Sequence, residues 1–236
     1  MGWSPEQIVG RMELEGSEHR ICVESIYRHI YSPEGRRDGL PRWLAQRKRR
    51  RGRRRRNGKK ISIPNRVPIQ ARPEKANLRS ELGHWEGDVM HFRGRQALLT
   101  LEERSTRLTR VRRLHSMEAA STAQAIVDAL APLPPPARRS ITHDNGCEFA
   151  AHGQVTEEIG LPAYFCDPHS PWQRGSIENT NGLLRRPLPR GTDLATIPDA
   201  EIDRRVDNLN ATPRKCLGWR TPLEVFNAQL GVALET

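Results

Sequence analysis

Between Arg47 and Lys60 eleven of fourteen residues are Lys or Arg, a run with no apolar periodicity to drive it into a core. It divides the chain. From Ser32 to Asn65 the composition is dominated by Arg, Gly and Pro, and the segment 32–65 reads as a disordered basic linker between a short N-terminal stretch, 1–31, and a long C-terminal domain, 66–236. Of 236 residues, 39 are Lys or Arg and 28 Asp or Glu, giving a formal net charge of +11, and the run alone accounts for the whole surplus. An excess of this sign favours polyanions. Arg47, Lys48, Arg49, Arg50, Arg51, Arg53, Arg54, Arg55 and Arg56 are therefore candidate contacts to nucleic-acid phosphates, supplying affinity that falls steeply with salt and no reading of sequence.

The four cysteines, Cys22, Cys147, Cys166 and Cys216, are far apart and include no Cys-x-x-Cys pair, so neither a zinc site nor a disulfide scaffold is indicated. Reduced thiols in a cytoplasmic protein are the expectation. No stretch approaches the roughly 18 apolar residues of a membrane span, and no leader of secretory type opens the chain. A protein that works beside DNA or RNA, without a membrane, fits these features.

Ser4-Pro5-Glu6-Gln7 is a capping box with proline at the first helical position, predicting a helix from about Pro5 to Met12. A second helix is suggested by 23–31, with Ile26, Ile30 and Tyr27 inward, although Cys22 stands where a capping serine is expected. Two short helices in this order match the end of a helix-turn-helix, whose second member enters the major groove; a helical hairpin that only packs is the alternative. Some thirty residues cannot bury a stable core alone, so further helices are expected upstream.

Beyond Ile61 the pattern is α/β. Strands are predicted over 83–90, 97–102 and 108–114, then an amphipathic helix over 116–130 stopped by Pro132 to Pro136. A buried strand over 139–143 delivers Asp144-Asn145-Gly146 at its carboxyl end. A helix over 150–159 and a strand over 162–165 lead into a stretch rich in proline, 165–175, and then a polar helix with Ser176 read as its cap. On a 3.6-residue period Glu178, Asn181 and Arg185 share one face of that helix. Helices over 199–208 and from Thr221 complete the chain.

This order brings Asp88, Asp144 and Glu178 toward one edge of a single sheet. Three converging carboxylates repel one another unless divalent cations neutralise them. Magnesium suits such a site, taking oxygen ligands from a few carboxylates and completing its shell with water and substrate phosphate. Two ions about 4 Å apart serve in-line phosphoryl displacement. Each acid has a plainer reading. Glu86 shares the strand face with Asp88, Asp144 fits an Asp-Asn-Gly turn, and Glu178 fits a solvated helix face. His143 reads as a partly buried neighbour of the site.

The motifs His84-Trp85-Glu86-Gly87-Asp88, His143-Asp144-Asn145-Gly146-x-Glu148-Phe149 and Ser170-Pro171-Trp172-Gln173-Arg174-Gly175-Ser176-Ile177-Glu178-Asn179-Thr180-Asn181-Gly182-Leu183-Leu184-Arg185 resemble those of the insertion-sequence-thirty family of DDE transposases. Asp144 and Glu178 have 33 residues between them, the spacing of that family's pattern. The resemblance covers nearly the whole chain and implies a ribonuclease H-like fold: a mixed five-stranded sheet flanked by helices, preceded by a helix-turn-helix remnant and the basic linker.

It also implies function. Asp88, Asp144 and Glu178 become the catalytic, metal-binding triad for two Mg²⁺ or Mn²⁺ ions, cutting at insertion-sequence ends and transferring the 3′-hydroxyl into target DNA. Arg185 is placed near a phosphate, and Trp172, Gln173 and Asn179 along the DNA track. Double-stranded DNA is the partner, a homo-oligomer on DNA and a bacterial, nucleoid-associated location are expected, and no small-molecule cofactor is called for. The family's further N-terminal DNA-binding segment has no counterpart here, so a noncatalytic, truncated DNA-binding remnant is the alternative. An integrase of retroviral type is a third reading, but His19, Cys22 and His29 lack the spacing of its zinc module.

Overall fold

The computed structural model describes residues 2–44, 63–168 and 170–235. The basic residues from Arg47 to Arg56, and His169, lie outside the described residues. Two compact units are present, one formed by 1–60 with 212–221 and the other by 61–211 with 222–236.

In the first unit, helix α1 (Pro5–Leu14) carries the expected capping box, with the Ser4 side chain accepting from the Gln7 N–H and the Gln7 side chain accepting from the Ser4 N–H. Helix α2 (Val23–Ile30) has no side-chain cap at Cys22, as the missing serine implied. Ile26, Tyr27 and Ile30 are half-buried and no residue of α2 is fully buried. A third helix corrects the reading of 32–65 as linker throughout. Ser32 caps α3 (Pro33–Arg37) by accepting from the Gly35 N–H, and a 3₁₀ turn follows at Leu40–Trp43. A serine followed by proline is a helix start that the basic composition outweighed. The segment 212–221 belongs to this unit through Gln7, whose side-chain amide donates to the Pro213 carbonyl at 3.0 Å, and through Trp219, whose ring lies so close to Gly10 that a Cβ there would collide with it.

The second unit is built on a five-stranded mixed sheet, as expected. After α4 (Glu74–Leu78) come β1 (His84–His91), β2 (Ala97–Glu103) and β3 (Thr109–Leu114), then α5 (Ala119–Leu130), β4 (Ser140–His143), α6 (His152–Ile159), β5 (Ala163–Phe165), α7 (Gly175–Leu184), α8 (Asp199–Asn210) and α9 (Pro222–Glu235). The strand order is β3-β2-β1-β4-β5. β1 to β3 pair antiparallel, and β4 and β5 run parallel to β1.

Both faces of this sheet are covered, so alternate residues of one strand enter different cores. Val89, Leu99, Leu101 and Ile141 pack with α5, α6 and Phe226 of α9. Met90, Leu98 and Val111 pack with Leu184 of α7 and Ile202, Val206 and Leu209 of α8. Asp88 and Glu86 share the parity of Met90 and therefore face α7.

Candidate active site

β1 and β4 are parallel neighbours with Glu86 paired to Thr142; two residues further along stand Asp88, within β1, and Asp144, just past the end of β4. The fold thus brings together two acids 56 positions apart in sequence. One guanidinium lies between them. Arg174, at the end of a 3₁₀ turn (Pro171–Arg174) that precedes α7, donates from Nη1 to Asp88 Oδ1 at 3.2 Å and from Nη2 to Asp144 Oδ2 at 2.9 Å. Its Nη1 also donates to the Gly87 carbonyl at 2.9 Å.

The remaining oxygens of both acids are engaged as well. Asp88 Oδ2 accepts from the Asn181 amide at 2.6 Å, and Asp144 Oδ1 accepts from the Gly146 N–H at 2.9 Å. The second contact is the Asx turn expected of Asp-Asn-Gly, so Asp144 fills the turn role and faces the site at once. Burial raises the Asp88 carboxyl above its usual range, with the Arg174 charge opposing and the Asp144 charge adding. Burial also works against the charge on Arg174, yet Asp144 and Asp88 outweigh it and keep the guanidinium more basic than usual.

Glu86, the competitor of Asp88, has a different role. It is fully buried, paired with Arg104, and accepts from the Ile177 N–H at 3.3 Å. A carboxylate held this way is unavailable to a ligand. His143 is fully buried, a correction to its reading as partly buried, and stacks on Phe149 with ring centroids 4.0 Å apart. Burial, with the Arg174 charge next in weight, drives its pKa down to about 3. Gly87 makes room for it, since a Cβ there would stand 2.7 Å from the imidazole.

Helix α7 runs along β1. Ile177 meets Glu86, Asn181 meets Asp88, and Arg185 donates to the His91 carbonyl at 2.9 Å. Ser176 is not the cap that the sequence suggested. The helix begins at Gly175 and has no side-chain cap; the Ser176 hydroxyl instead donates to Glu102, beside Arg107. Glu178 lies on the stripe between Arg174 and Asn181, but its side chain is exposed and has no hydrogen-bond or ion-pair partner among the described residues. No group of three His, Cys, Asp or Glu side chains that could hold a metal ion is found among the described residues. Two of the three acids converge and the third stands in solvent beside them.

The other candidates divide. Trp172 is 75% exposed and Asn179 is exposed. Gln173 is committed to the chain itself, its amide donating to Asp167 Oδ2 at 2.9 Å while its oxygen accepts from the Asp167 N–H at 2.8 Å. The Arg185 guanidinium sits 4.3 Å over the Phe92 ring, and burial, reinforced by Arg190, lowers its pKa to about 10. The sequence motif places Arg174 between Gln173 and Gly175. Its isolated place in a loop of prolines gave no sign that it would be buried.

Beside Asp88, two buried polar atoms have no hydrogen-bond partner among the described residues, Thr100 Oγ1 and Asn181 Oδ1. Thr100 is the direct cross-strand neighbour of Asp88. Unpaired buried groups are costly, and two acceptors next to one carboxylate suit a hydrated ligand.

Comparison with known proteins gives three findings. The integrase core domain family matches residues 79–171. The chain is 39% identical over 231 residues to the transposase for insertion sequence element IS1086 of Cupriavidus metallidurans, covering 95% of this chain and 68% of that protein. It is 40% identical over 245 residues to transposase InsI for insertion sequence element IS30C of Escherichia coli, covering 99% of this chain and 63% of that protein. This chain thus spans about two thirds of these relatives' length. The crystal structure of the catalytic core domain of BIV integrase superposes with a TM-score of 0.50 at 19% identity, over 63% of this chain and 96% of that one; this likeness shows the ribonuclease H-like fold. Among the described residues no helix is long and apolar enough to cross a membrane.

Proposed function

Because the chain belongs to the insertion-sequence-thirty (IS30) family of transposases, we propose that it cuts DNA at insertion-sequence ends and transfers the 3′-hydroxyl into a target duplex, with Asp88, Asp144 and Glu178 as its catalytic acids. The observation that carries this reading is the shared cation of Asp88 and Asp144. Two carboxylates on neighbouring parallel strands, closing on one positive group, form the donor set that a hard divalent ion takes.

The residues present fit Mg²⁺ or Mn²⁺, two ions being the full complement. Asp88 and Asp144 would hold the ion, with Glu178, exposed on α7, as the proposed third ligand, and Thr100 Oγ1 and Asn181 Oδ1 would be acceptors for its water. Such ions, when bound, lower the pKa of an attacking oxygen and stabilise the leaving one. Asn181 fixes the orientation of Asp88, and the Asx turn fixes that of Asp144. The stacked, neutral His143 fills the space behind β1 and keeps water from the rear of the site.

Double-stranded DNA is the proposed partner. Trp172 and Asn179 present exposed side chains beside the acids, and the residues from Arg47 to Arg56 add phosphate contacts whose loss should flatten the salt dependence of binding. Assembly of more than one copy on paired DNA ends belongs to the same proposal. The exposed, unpartnered Glu178 favours a second reading, a DNA-binding protein without catalysis. A nicking assay on duplexes carrying candidate terminal repeats decides between the two. Mg²⁺-dependent nicking that is abolished by EDTA and by Asp88→Asn, with DNA binding retained, supports catalysis; nicking unaltered by Asp88→Asn rejects the assignment.

A further inference from the structure

Every carboxylate oxygen of Asp88 and Asp144 is already engaged. Asp88 offers Oδ1 to Arg174 and Oδ2 to Asn181, and Asp144 offers Oδ2 to Arg174 and Oδ1 to the Gly146 amide. An ion that binds both acids must take at least one oxygen from each; the second lone pair of that oxygen lets a neutral donor stay, but a cationic donor there competes with the ion. Gly146 N–H is backbone within a tight turn, and Asn181 lies inside α7. Among the described residues, Arg174 is the one that holds an oxygen of each acid.

Arg174 is also the charged donor of the set, buried and tied as well to the Gly87 carbonyl. It stands outside helical geometry, with φ −129° and ψ 28°, at the junction between the 3₁₀ turn and α7. Beyond it Gly175 has open space around the position of a Cβ, and Trp172 in the same turn is exposed. Its neighbour Gln173 keeps the turn pinned to Asp167, so the guanidinium can leave without the loop unravelling. A guanidinium in contact with both carboxylates opposes a divalent cation on the same oxygens, because like charges at a partly buried site repel.

We propose that Arg174 is a tethered counter-cation that holds Asp88 and Asp144 together in the metal-free protein and must be displaced from them by the divalent ion. This rests on the reading of Asp88 and Asp144 as metal ligands. It makes Arg174 a positioning residue: it keeps two like charges from spreading the β1–β4 seam, and its occupancy sets the concentration at which metal enters. Displaced, its planar fork of donors lies at the rim of the site, suited to a phosphate oxygen.

The test is calorimetric titration of the full chain with Mn²⁺ in the absence of DNA, on wild type, Arg174→Gln, Arg174→Lys and Asp144→Asn, each first shown to be folded by circular dichroism. The apparent affinity of a site that is open only part of the time is reduced by the open fraction. Removing the competitor is expected to tighten Mn²⁺ binding about tenfold or more in Arg174→Gln, with a smaller gain in Arg174→Lys, whose ammonium lacks the fork needed to bond both acids at once. Asp144→Asn should abolish the binding. Affinity unchanged or weaker in both Arg174 variants overturns the proposal, and Arg174→Lys carries the test if the glutamine variant does not fold. Absence of Mn²⁺ binding in wild type and both variants overturns the metal-ligand reading together with it, whereas equal binding in all three removes only the role of Arg174.

Discussion

Asn181 donates its side-chain amide to Asp88 Oδ2 at 2.6 Å across 93 positions of sequence, tying α7 to the middle of β1. The contact sets the axial position of the whole helix, and with it the distance of Glu178 from Asp88. A hydrogen bond to a charged group contributes about 1.5–3 kcal/mol. Asn181→Ala should lower stability to urea by an amount in that range and reduce metal-dependent nicking, with DNA affinity nearly unchanged. Nicking at the wild-type level would mean that α7 is held in place without Asn181.

Glu86 and Arg104 test the choice between the two acids of β1. Both are buried, and Arg104 also donates to the Ala76 carbonyl at 2.8 Å. Burial, with Arg72 nearby, brings the Arg104 pKa down to about 9, and the cation faces the buried Glu86 carboxylate. Removing one member of a buried pair costs about 3–5 kcal/mol because the other charge is left uncompensated. Arg104→Met should therefore destabilise strongly, and the double change Arg104→Met with Glu86→Leu should recover part of the loss. Chemical denaturation of the two variants reads this directly; no recovery in the double variant would show that Glu86 does more than balance Arg104.

Much of this arrangement was legible before any coordinates. The apolar run 97–102, the alternation in 108–114 and the stop at Pro132 to Pro136 pointed to the sheet and its first crossover helix, and the acids stand on β1 and just after β4. Other features were not, for one shared physical reason. Arg174 acquires its meaning from residues 86 and 30 positions away, and 212–221 joins the N-terminal unit through a tryptophan ring packed on Gly10. Local periodicity carries no information about either. The cap assigned to Ser176 failed differently: Gly175 is free to start the helix a residue early, which leaves the serine hydroxyl pointing to Glu102.

His143 gives the protein a defined acid sensitivity. Its pKa is about 3 in the fold against an ordinary 6.5, burial being the main cause, so between these values the unfolded chain binds more protons than the folded one. Stability must then rise with pH across that window and fall on acidification. His84, also lowered chiefly by burial although Glu81 opposes the shift, acts with the same sign. His143→Phe cannot titrate, and the difference in unfolding free energy between about pH 5 and about pH 7 should shrink. A difference equal to wild type would show that the imidazole is protonated in the folded protein.

Trp172 and Arg185 were grouped in the sequence as DNA contacts, but their surroundings separate them. The Trp172 ring is 75% exposed. Changes at such positions usually alter stability by no more than about 0.5 kcal/mol. Arg185 is built into the protein, stacked over Phe92 and donating to the His91 carbonyl, so Arg185→Ala removes a cation–π contact and a hydrogen bond together, at a cost of about 1–3 kcal/mol. Trp172→Ala should therefore weaken binding to an element-end duplex with its melting temperature preserved, while Arg185→Ala should lower the melting temperature. Scanning calorimetry beside a gel-shift titration separates the two effects. If Trp172→Ala binds DNA as wild type does, the exposed ring has no place in the DNA track; if Arg185→Ala melts as wild type does, its guanidinium is free to serve a phosphate instead of the fold.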